Sequence, residues 1–192
     1  MKKEITEWIV AIGVALIILV VVINFVGKSY TIKGDSMDPT LKDGEHVIVN
    51  MIGYNLGGLE KGNVIVFHAD ESSDYVKRVI GMPGDKVEYK KDQLYVNDKK
   101  VDEPYLDYNK KRKQVEYITA NDLDVSSLPN SNGEEKIPKG KLLVLGDNRE
   151  VSKDSRSFGL INEDQVVGKV SFRFWPINNF KVNFNPDTNY GS

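Results

Sequence analysis

The chain has 192 residues, of which 40% are apolar and 28% charged, and its formal net charge at pH 7 is −2. The absence of cysteine excludes a disulfide scaffold, a cysteine nucleophile and a thiolate zinc site, and two histidines, His46 and His68, are too few for a multi-histidine metal centre. The weakly negative charge argues against a nucleic-acid partner. From the chain length we expect one globular domain, and from the lack of cysteine and the two histidines we expect no metal or other cofactor.

The first predicted element is a transmembrane helix at Trp8–Val26, where 17 of 19 residues are apolar. A spanning helix needs about 20 apolar residues, whereas the apolar region of a cleaved signal peptide has about 7–15. No Ala-x-Ala-like site follows, so we expect an uncleaved anchor. A buried core helix fits less well, because the apolar run Val14–Ile23 leaves no polar face for solvent.

The orientation of this anchor is only weakly specified by charge. Lys2 and Lys3 precede the helix, and Lys28 and Lys33 follow it, so the positive-inside rule favours a cytoplasmic N-terminus by a small margin. The expected organisation is a single-pass protein of the cell membrane, with residues 1–7 in the cytoplasm, 8–26 in the bilayer and 27–192 as an extracytoplasmic domain.

Beyond Gly27, short β-branched and aromatic runs separated by turn signals predict a mainly β domain with an antiparallel sheet. The predicted strands are His46–Asn50, Val64–Phe67, Tyr75–Ile80, Lys86–Tyr89, Gln93–Val96, Lys141–Leu145 and Val167–Trp175. Asn97-Asp98 predicts a tight hairpin turn that leads into a strand at Lys99–Val101. Residues 102–138 are polar and weakly periodic, which indicates a solvated, non-catalytic insertion or cap; an electrostatic docking site is the alternative.

Three segments carry reactive side chains in unusual backbone settings. Ser36 lies between Gly34 and Pro39, in a constrained loop that can present a hydroxyl, although such a serine is usually only a turn residue. Lys77 shares a strand face with apolar neighbours. A lysine in a strand is usually solvated, but burial would lower its pKa and let the neutral amine act as a general base.

The third segment, residues 146–159, follows an apolar strand and is crowded with hydroxyl and carboxylate groups. It fits a turn held by side-chain hydrogen bonds, and it could also orient a reactive group. A Ser-His-Asp triad would require His46 or His68, and both sit at strand ends as structural or surface residues. A serine–lysine pair needs no histidine, because a neutral amine can take the serine proton.

These segments resemble the signature boxes of the bacterial type I signal peptidases, in the Gram-positive form with one N-terminal transmembrane helix. Residues 34–41 resemble the serine box, 77–85 the lysine box and 146–156 the third box. Residues 62–67 resemble an intervening strand box, although Asn63 stands where an aspartate is common. The boxes occur in the family's order over nearly the whole chain, and the resemblance is closest to the staphylococcal enzymes.

By this resemblance, Ser36 is the nucleophile, Lys77 is the general base and Ser152 bonds and orients the lysine amine. The resemblance further implies a supporting ion pair between Asp154 and Arg156, joined by Arg78. The Ser36 backbone N–H is one expected oxyanion donor. Some relatives add a serine hydroxyl two residues earlier, where this chain has Gly34, so a backbone group or a water is the alternative second donor.

The implied reaction is hydrolysis of secretory preproteins after small residues at positions −1 and −3, through an acyl-enzyme. The substrate would lie extended as an added strand against apolar walls formed by Ile32, Met37 and Val76. Further expected partners are the lipid bilayer and, by proximity, the protein-export translocase. The aromatic run Phe172–Pro176 could touch the membrane interface, or it could simply be a core strand.

Two other functions fit the sequence less well. A membrane-anchored binding module or inactive relative would not need both Ser36 and Lys77. A Ser–Lys protease of the self-cleaving repressor type would not need a 19-residue anchor.

Overall fold

The computed structural model describes residues 5, 7–17, 27–51, 58–184 and 190. Residues 7–17 are helical. Among the described residues, we find no helix with both the length and the apolar character needed to cross a membrane. The predicted anchor Trp8–Val26 extends into residues 18–26, which lie outside the described ranges, and it stays a prediction.

From residue 27 onward, the described chain forms two antiparallel sheets. The larger sheet has the order β1-β2-β11-β3-β4-β9-β10, with β12 paired to β11, and the smaller has the order β7-β6-β5-β8. The strands are β1 Lys28–Thr31, β2 His46–Asn50, β3 Val64–His68, β4 Asp74–Gly81, β5 Val87–Lys90, β6 Gln93–Val96, β7 Lys99–Val101, β8 Asp122–Asp124, β9 Lys141–Leu145, β10 Ile161–Asn162, β11 Val166–Trp175 and β12 Lys181–Val182.

Strand β4 lies inside the larger sheet and carries two buried cations. It pairs with β3 on one side and β9 on the other, and burial increases along it towards Gly81. Because successive side chains of a strand point to opposite faces, Lys77 and Arg78 leave β4 in opposite directions, and both are buried. Each of these cations therefore requires its own polar surroundings.

Apolar clusters join the sheets and support the loop that carries Ser36. One cluster combines Ile80 and Leu145 of the larger sheet with Tyr89 and Leu94 of the smaller one, all at most 1% exposed. A second cluster contains Met37 together with Leu41, Val47 and Val64. The serine loop is therefore attached to the sheet by its own apolar side chains.

The mainly β, antiparallel fold expected from the sequence is confirmed. The bounds of β2, β6, β7 and β9 agree with the predicted ones, and β3, β4, β5 and β11 differ by one residue at one or both ends. The strands that the sequence did not predict are β1, β8, β10 and β12, each of two to four residues. Such short segments contain too few alternating positions to produce a recognisable pattern.

The segment 102–138 is more closely integrated than a solvated insertion would be. It contributes β8, which pairs with β5, and it buries Leu106, Ile118 and Val125. It also contains a short helix, Asp107–Arg112, that has no buried residue. Its solvated part is therefore limited to stretches around that helix and the following loops.

Candidate active site

Ser36 is presented by a tight loop between β1 and β2. Gly34 has φ +75°, a left-handed conformation that favours glycine, and its N–H donates to Asp43 Oδ1 at 2.7 Å. On the other side of Ser36, the N–H of Leu41 donates to the Met37 carbonyl at 3.0 Å, and both of these side chains are buried. The serine hydroxyl is thus held between two anchored ends of the loop.

Lys77 lies opposite this serine. Its Nζ donates to Ser36 Oγ at 2.8 Å and to the carbonyl of Val76 at 3.0 Å, and the residue is 3% exposed. Burial lowers the pKa of the amine from 10.5 to about 8, because the charged form loses its hydration, while the negative charges of Asp154 and Asp147 partly oppose this shift. A substantial neutral fraction therefore exists close to neutral pH.

The turn after β9 holds the serine loop in place by hydrogen bonds. The N–H of Asn148 donates to the Ser36 carbonyl at 3.0 Å, and Asn148 Nδ2 donates to the Asp35 carbonyl at 3.1 Å. Thr40 Oγ1 donates to Asp147 Oδ2 at 2.5 Å. These bonds connect both ends of the serine loop to the Asp147-Asn148 turn.

The predicted participation of Arg78 in the Asp154–Arg156 pair is wrong. Arg78 is fully buried and binds Asp147 bidentately, with Nε to Oδ1 at 2.9 Å and Nη2 to Oδ2 at 2.7 Å. Its Nη1 donates to the carbonyls of Gly62 and Phe184, both at 2.7 Å. The reason is strand geometry: Arg78 leaves β4 on the face opposite to Lys77 and reaches a different carboxylate.

Asp154 and Arg156 do form an ion pair. Arg156 Nε and Nη2 each donate to a different Asp154 oxygen at 2.8 Å, and Asp154 is fully buried. Asp154 Oδ2 also accepts from the N–H of Gly146 at 3.0 Å, and Arg156 Nη2 donates to the Arg149 carbonyl at 2.7 Å. The arginine and these bonds keep the pKa of Asp154 below its ordinary value, despite its burial. Through these bonds, the ion pair connects the two ends of the 146–156 loop.

The predicted hydrogen bond between Ser152 and the lysine amine is absent. Within the described residues, Ser152 Oγ is buried and makes no hydrogen bond to Lys77, whereas its hydroxyl helps to lower the pKa of Asp154. Ser152 Oγ and the Ser36 carbonyl oxygen both lie close against Gly146, so close that a Cβ at this position would overlap them. Ser152 therefore packs beneath the serine loop, close to the site.

An open groove of about 950 Å³ leads to Ser36 and Lys77. The predicted wall residues Ile32, Met37 and Val76 all line it. Ile32 and Met37 are buried, and Val76 is half-buried. The two walls come from β1 with its following loop and from the beginning of β4, so an extended chain fits between two strand edges.

The two histidines take no part in the serine–lysine contact. His68 Nδ1 lies 2.6 Å from Asp74 Oδ1 at the mouth of the groove, and His46 Nδ1 lies 3.2 Å from Thr31 Oγ1. No cluster of three or more metal-ligating side chains occurs within the described ranges of the chain. The Gly34 N–H donates to Asp43, so this backbone group is not free to serve as the second oxyanion donor.

Sequence reasoning missed three residues that shape the site. Asp147 and Asn148 lie inside the third box, but only the fold shows that they hold Arg78 and the serine loop. Asn109 Nδ2 donates to the Asp38 carbonyl at 2.9 Å and to the Asp147 carbonyl at 3.0 Å. It lies in a polar stretch of the sequence where no pattern distinguishes it.

A serine on a tight loop, next to a buried lysine and in a groove lined by strand edges, is suited to nucleophilic attack on an extended chain. Comparisons with known proteins identify the class of protein. The profile of the family described as "Signal peptidase, peptidase S26" matches residues 5–175. The chain therefore belongs to the S26 signal peptidases, as a bacterial type I enzyme, and the predicted resemblance is confirmed.

Individual relatives agree with this assignment. The chain is 69% identical over 188 residues to Signal peptidase IB of Staphylococcus aureus (strain MRSA252), covering 97% of this chain and 98% of the relative. It is 45% identical over 177 residues to Signal peptidase I of Bacillus caldolyticus, covering 92% and 93%. A crystal structure of a signal peptidase I from Enterococcus faecalis V583 superposes with a TM-score of 0.54 at 34% identity, covering 59% of this chain and 97% of that chain.

Proposed function

We propose that this signal peptidase cleaves secretory preproteins with Ser36 as the nucleophile and Lys77 as the general base. The observation that carries the proposal is the 2.8 Å contact between Lys77 Nζ and Ser36 Oγ, made by an amine that is 3% exposed. In the described part of the chain, both histidines bond elsewhere, so the amine is the base available to the hydroxyl.

In the proposed reaction, neutral Lys77 takes the proton of Ser36 as the serine oxygen attacks the carbonyl carbon of residue −1. The tetrahedral intermediate then collapses, the C–N bond breaks, and protonated Lys77 donates to the departing amine. Lys77 next takes a proton from water, whose oxygen attacks the acyl carbon of the acyl-enzyme. The bond between that carbon and Ser36 Oγ then breaks, protonated Lys77 returns the proton to Oγ, and the new carboxyl group loses its own proton to solvent. Each step needs the amine to exchange its proton easily, which fits a pKa of about 8.

The groove supports an extended substrate with small side chains near the cleaved bond. Ile32 and Met37 are already buried on one wall, and Val76 forms the other next to Lys77. In this proposal, the small residues at −1 and −3 would lie against these apolar side chains beside Ser36. The backbone of the substrate would pair with the strand edges that line the groove.

The proposed location is the membrane surface, with residues 8–26 as a single-pass anchor. In the described helical residues, apolar side chains such as Trp8, Ile9 and Ile17 are 64–71% exposed. Apolar side chains on the exterior of a helix are typical of a lipid environment. Ten positions separate Val26 from Ser36, a reach of at most about 35 Å. Ser36 would thus remain near the bilayer, where translocated preproteins emerge.

A second apolar surface agrees with this location. Trp175, Ile177, Phe180 and Val182 are each more than half exposed, and they lie at the end of β11, in the following turn and in β12. The aromatic run Phe172–Pro176 is only partly a core strand, since Arg173 is buried while Trp175 is not. Aromatic and aliphatic side chains in such a cluster favour contact with the lipid interface.

The test is cleavage of a purified secretory precursor by the full chain in detergent, followed by sequencing of the new N-terminus. We expect Ser36→Ala and Lys77→Ala to abolish cleavage, whereas the exposed-site controls Ser157→Ala and Lys139→Ala keep the normal rate. Cleavage by Lys77→Ala at the rate of the wild type would refute the role of the amine. A cut that does not follow small residues at −1 and −3 would refute the proposed specificity.

A further inference from the structure

Residues 103–109 connect the smaller sheet to the active site. After β7, the chain forms a 3₁₀ turn at Pro104–Leu106 and then the helix Asp107–Arg112. This helix has no buried residue and no side-chain cap at its N-terminus. Buried Leu106 directly precedes the helix, but apolar packing of the helix's own residues does not position it, and its polar contacts have to be considered.

The main polar contact of the helix is made by the Asn109 side chain. Its amide nitrogen donates to two carbonyls, that of Asp38 at 2.9 Å and that of Asp147 at 3.0 Å. These carbonyls belong to different loops: Asp38 is two residues after Ser36, and Asp147 begins the turn behind the serine. A single NH2 group thus joins the two loops with both of its hydrogens.

The two loops are the ones whose spacing determines the position of Ser36. The Asn148 N–H, one residue after Asp147, donates to the Ser36 carbonyl, and the Thr40 hydroxyl donates to Asp147. Asn109 adds two more hydrogen bonds at the same junction. It is not among the groove-lining residues, so a bound peptide would not touch it.

Neighbouring residues of the same segment make matching contacts. The Arg78 guanidinium lies 4.0 Å from the centre of the Tyr105 ring. Glu103 Oε1 accepts from Arg149 Nη2 at 2.6 Å, and both of these residues are buried. Segment 103–109 therefore contacts β4, the serine loop and the turn after β9, and Asn109 is its link to the serine loop.

We propose that Asn109 is a positioning residue, which holds the serine loop against the Asp147 turn and so keeps Ser36 Oγ at hydrogen-bond distance from Lys77. The inference rests on the proposed roles of Ser36 and Lys77. It assigns a catalytic contribution to a segment that the sequence indicates only as an insertion. Loss of the amide should let the serine loop move and admit water to the amine, which slows the reaction without weakening substrate binding.

The test compares Asn109→Ala and Asn109→Asp with the wild type, with Lys111→Ala on the same exposed helix as the matched control. Asn109→Asp has nearly the shape of asparagine but presents an oxygen to the two carbonyls in place of the donor. Steady-state kinetics use a peptide with alanine at −3 and −1 across pH 6–10, and thermal unfolding is recorded for each variant. Ser36→Ala and Lys77→Ala are measured in the same series.

We expect kcat to fall about tenfold for Asn109→Ala and about a hundredfold for Asn109→Asp, with KM within about twofold of the wild type. The acidic limb of the profile for Asn109→Ala should move to higher pH, because a more hydrated amine has a higher pKa. Lys111→Ala should match the wild type.

Unchanged kinetics of both Asn109 variants would overturn the inference, as would a higher KM at constant kcat, or a loss of activity that follows the unfolded fraction. Activity of Ser36→Ala or Lys77→Ala would instead refute the proposed function itself, so the two failures are distinguishable.

Discussion

Proteolysis by this enzyme should depend on pH through Lys77. The amine must be neutral to take the serine proton, and burial lowers its pKa from 10.5 to about 8. This difference corresponds to about 3 kcal/mol, at 1.36 kcal/mol for each pKa unit. At pH 7, about 10% of the enzyme then carries a neutral amine, against about 0.03% for an ordinary lysine. The buried position thus increases the reactive population roughly 300-fold.

The expected profile of kcat/KM rises about tenfold for each pH unit below 8 and becomes level above it. The assay is hydrolysis of an uncharged peptide with alanine at −3 and −1, so that the substrate does not titrate in this range. The enzyme must remain folded at each pH, which circular dichroism can check. An acidic limb centred near 10, where exposed lysines titrate, would refute the argument that burial activates Lys77. A profile that is flat between pH 6 and 9 would refute the role of a titrating base.

Two further predictions concern stability and packing. Lys77→Met should increase the free energy of unfolding at pH 7 by up to about 3 kcal/mol. The pKa of Lys77 is lower in the folded state, so the wild type loses stability as pH falls from 10.5 through 8. Urea unfolding at pH 7 and 10 checks this, and an equal gain at both values would contradict it. Gly146→Ala should lower kcat/KM at least tenfold, because its Cβ would displace Ser36 or Ser152. Wild-type peptide hydrolysis by this variant would show that the close approach at Gly146 is dispensable.

The sequence identifies the two residues that we propose to react better than the groups that hold them. Ser36 and Lys77 are separated by 41 positions, and their boxes alone predict that they meet, as the 2.8 Å contact shows. The sequence places Arg78 with Asp154, although it binds Asp147. Asp147 and Asp154 lie in the same box of the sequence. Strand alternation shows that Lys77 and Arg78 point to opposite faces of the sheet, but it does not indicate which carboxylate lies on each face.

Asn109 illustrates a different limit. It belongs to a polar stretch with weak periodicity, where a solvated surface is the usual interpretation. Its role depends on two backbone carbonyls, and any residue type provides such groups. No sequence pattern can therefore mark its partners. The same holds for β8, whose three residues become a strand only because β5 offers an edge for pairing.

The sequence by itself determined the family, the mainly β fold and the two residues proposed to react, because boxes and strand alternation are local patterns that can be read in order. The predicted anchor rests on the same kind of pattern. Only the tertiary structure decided which carboxylate Arg78 binds, where Ser152 packs and how Asn109 joins two loops. These contacts depend on distances between segments that are far apart in the chain. The burial of Lys77 also arises there, since the serine loop must meet β4 before the amine is buried and its pKa falls.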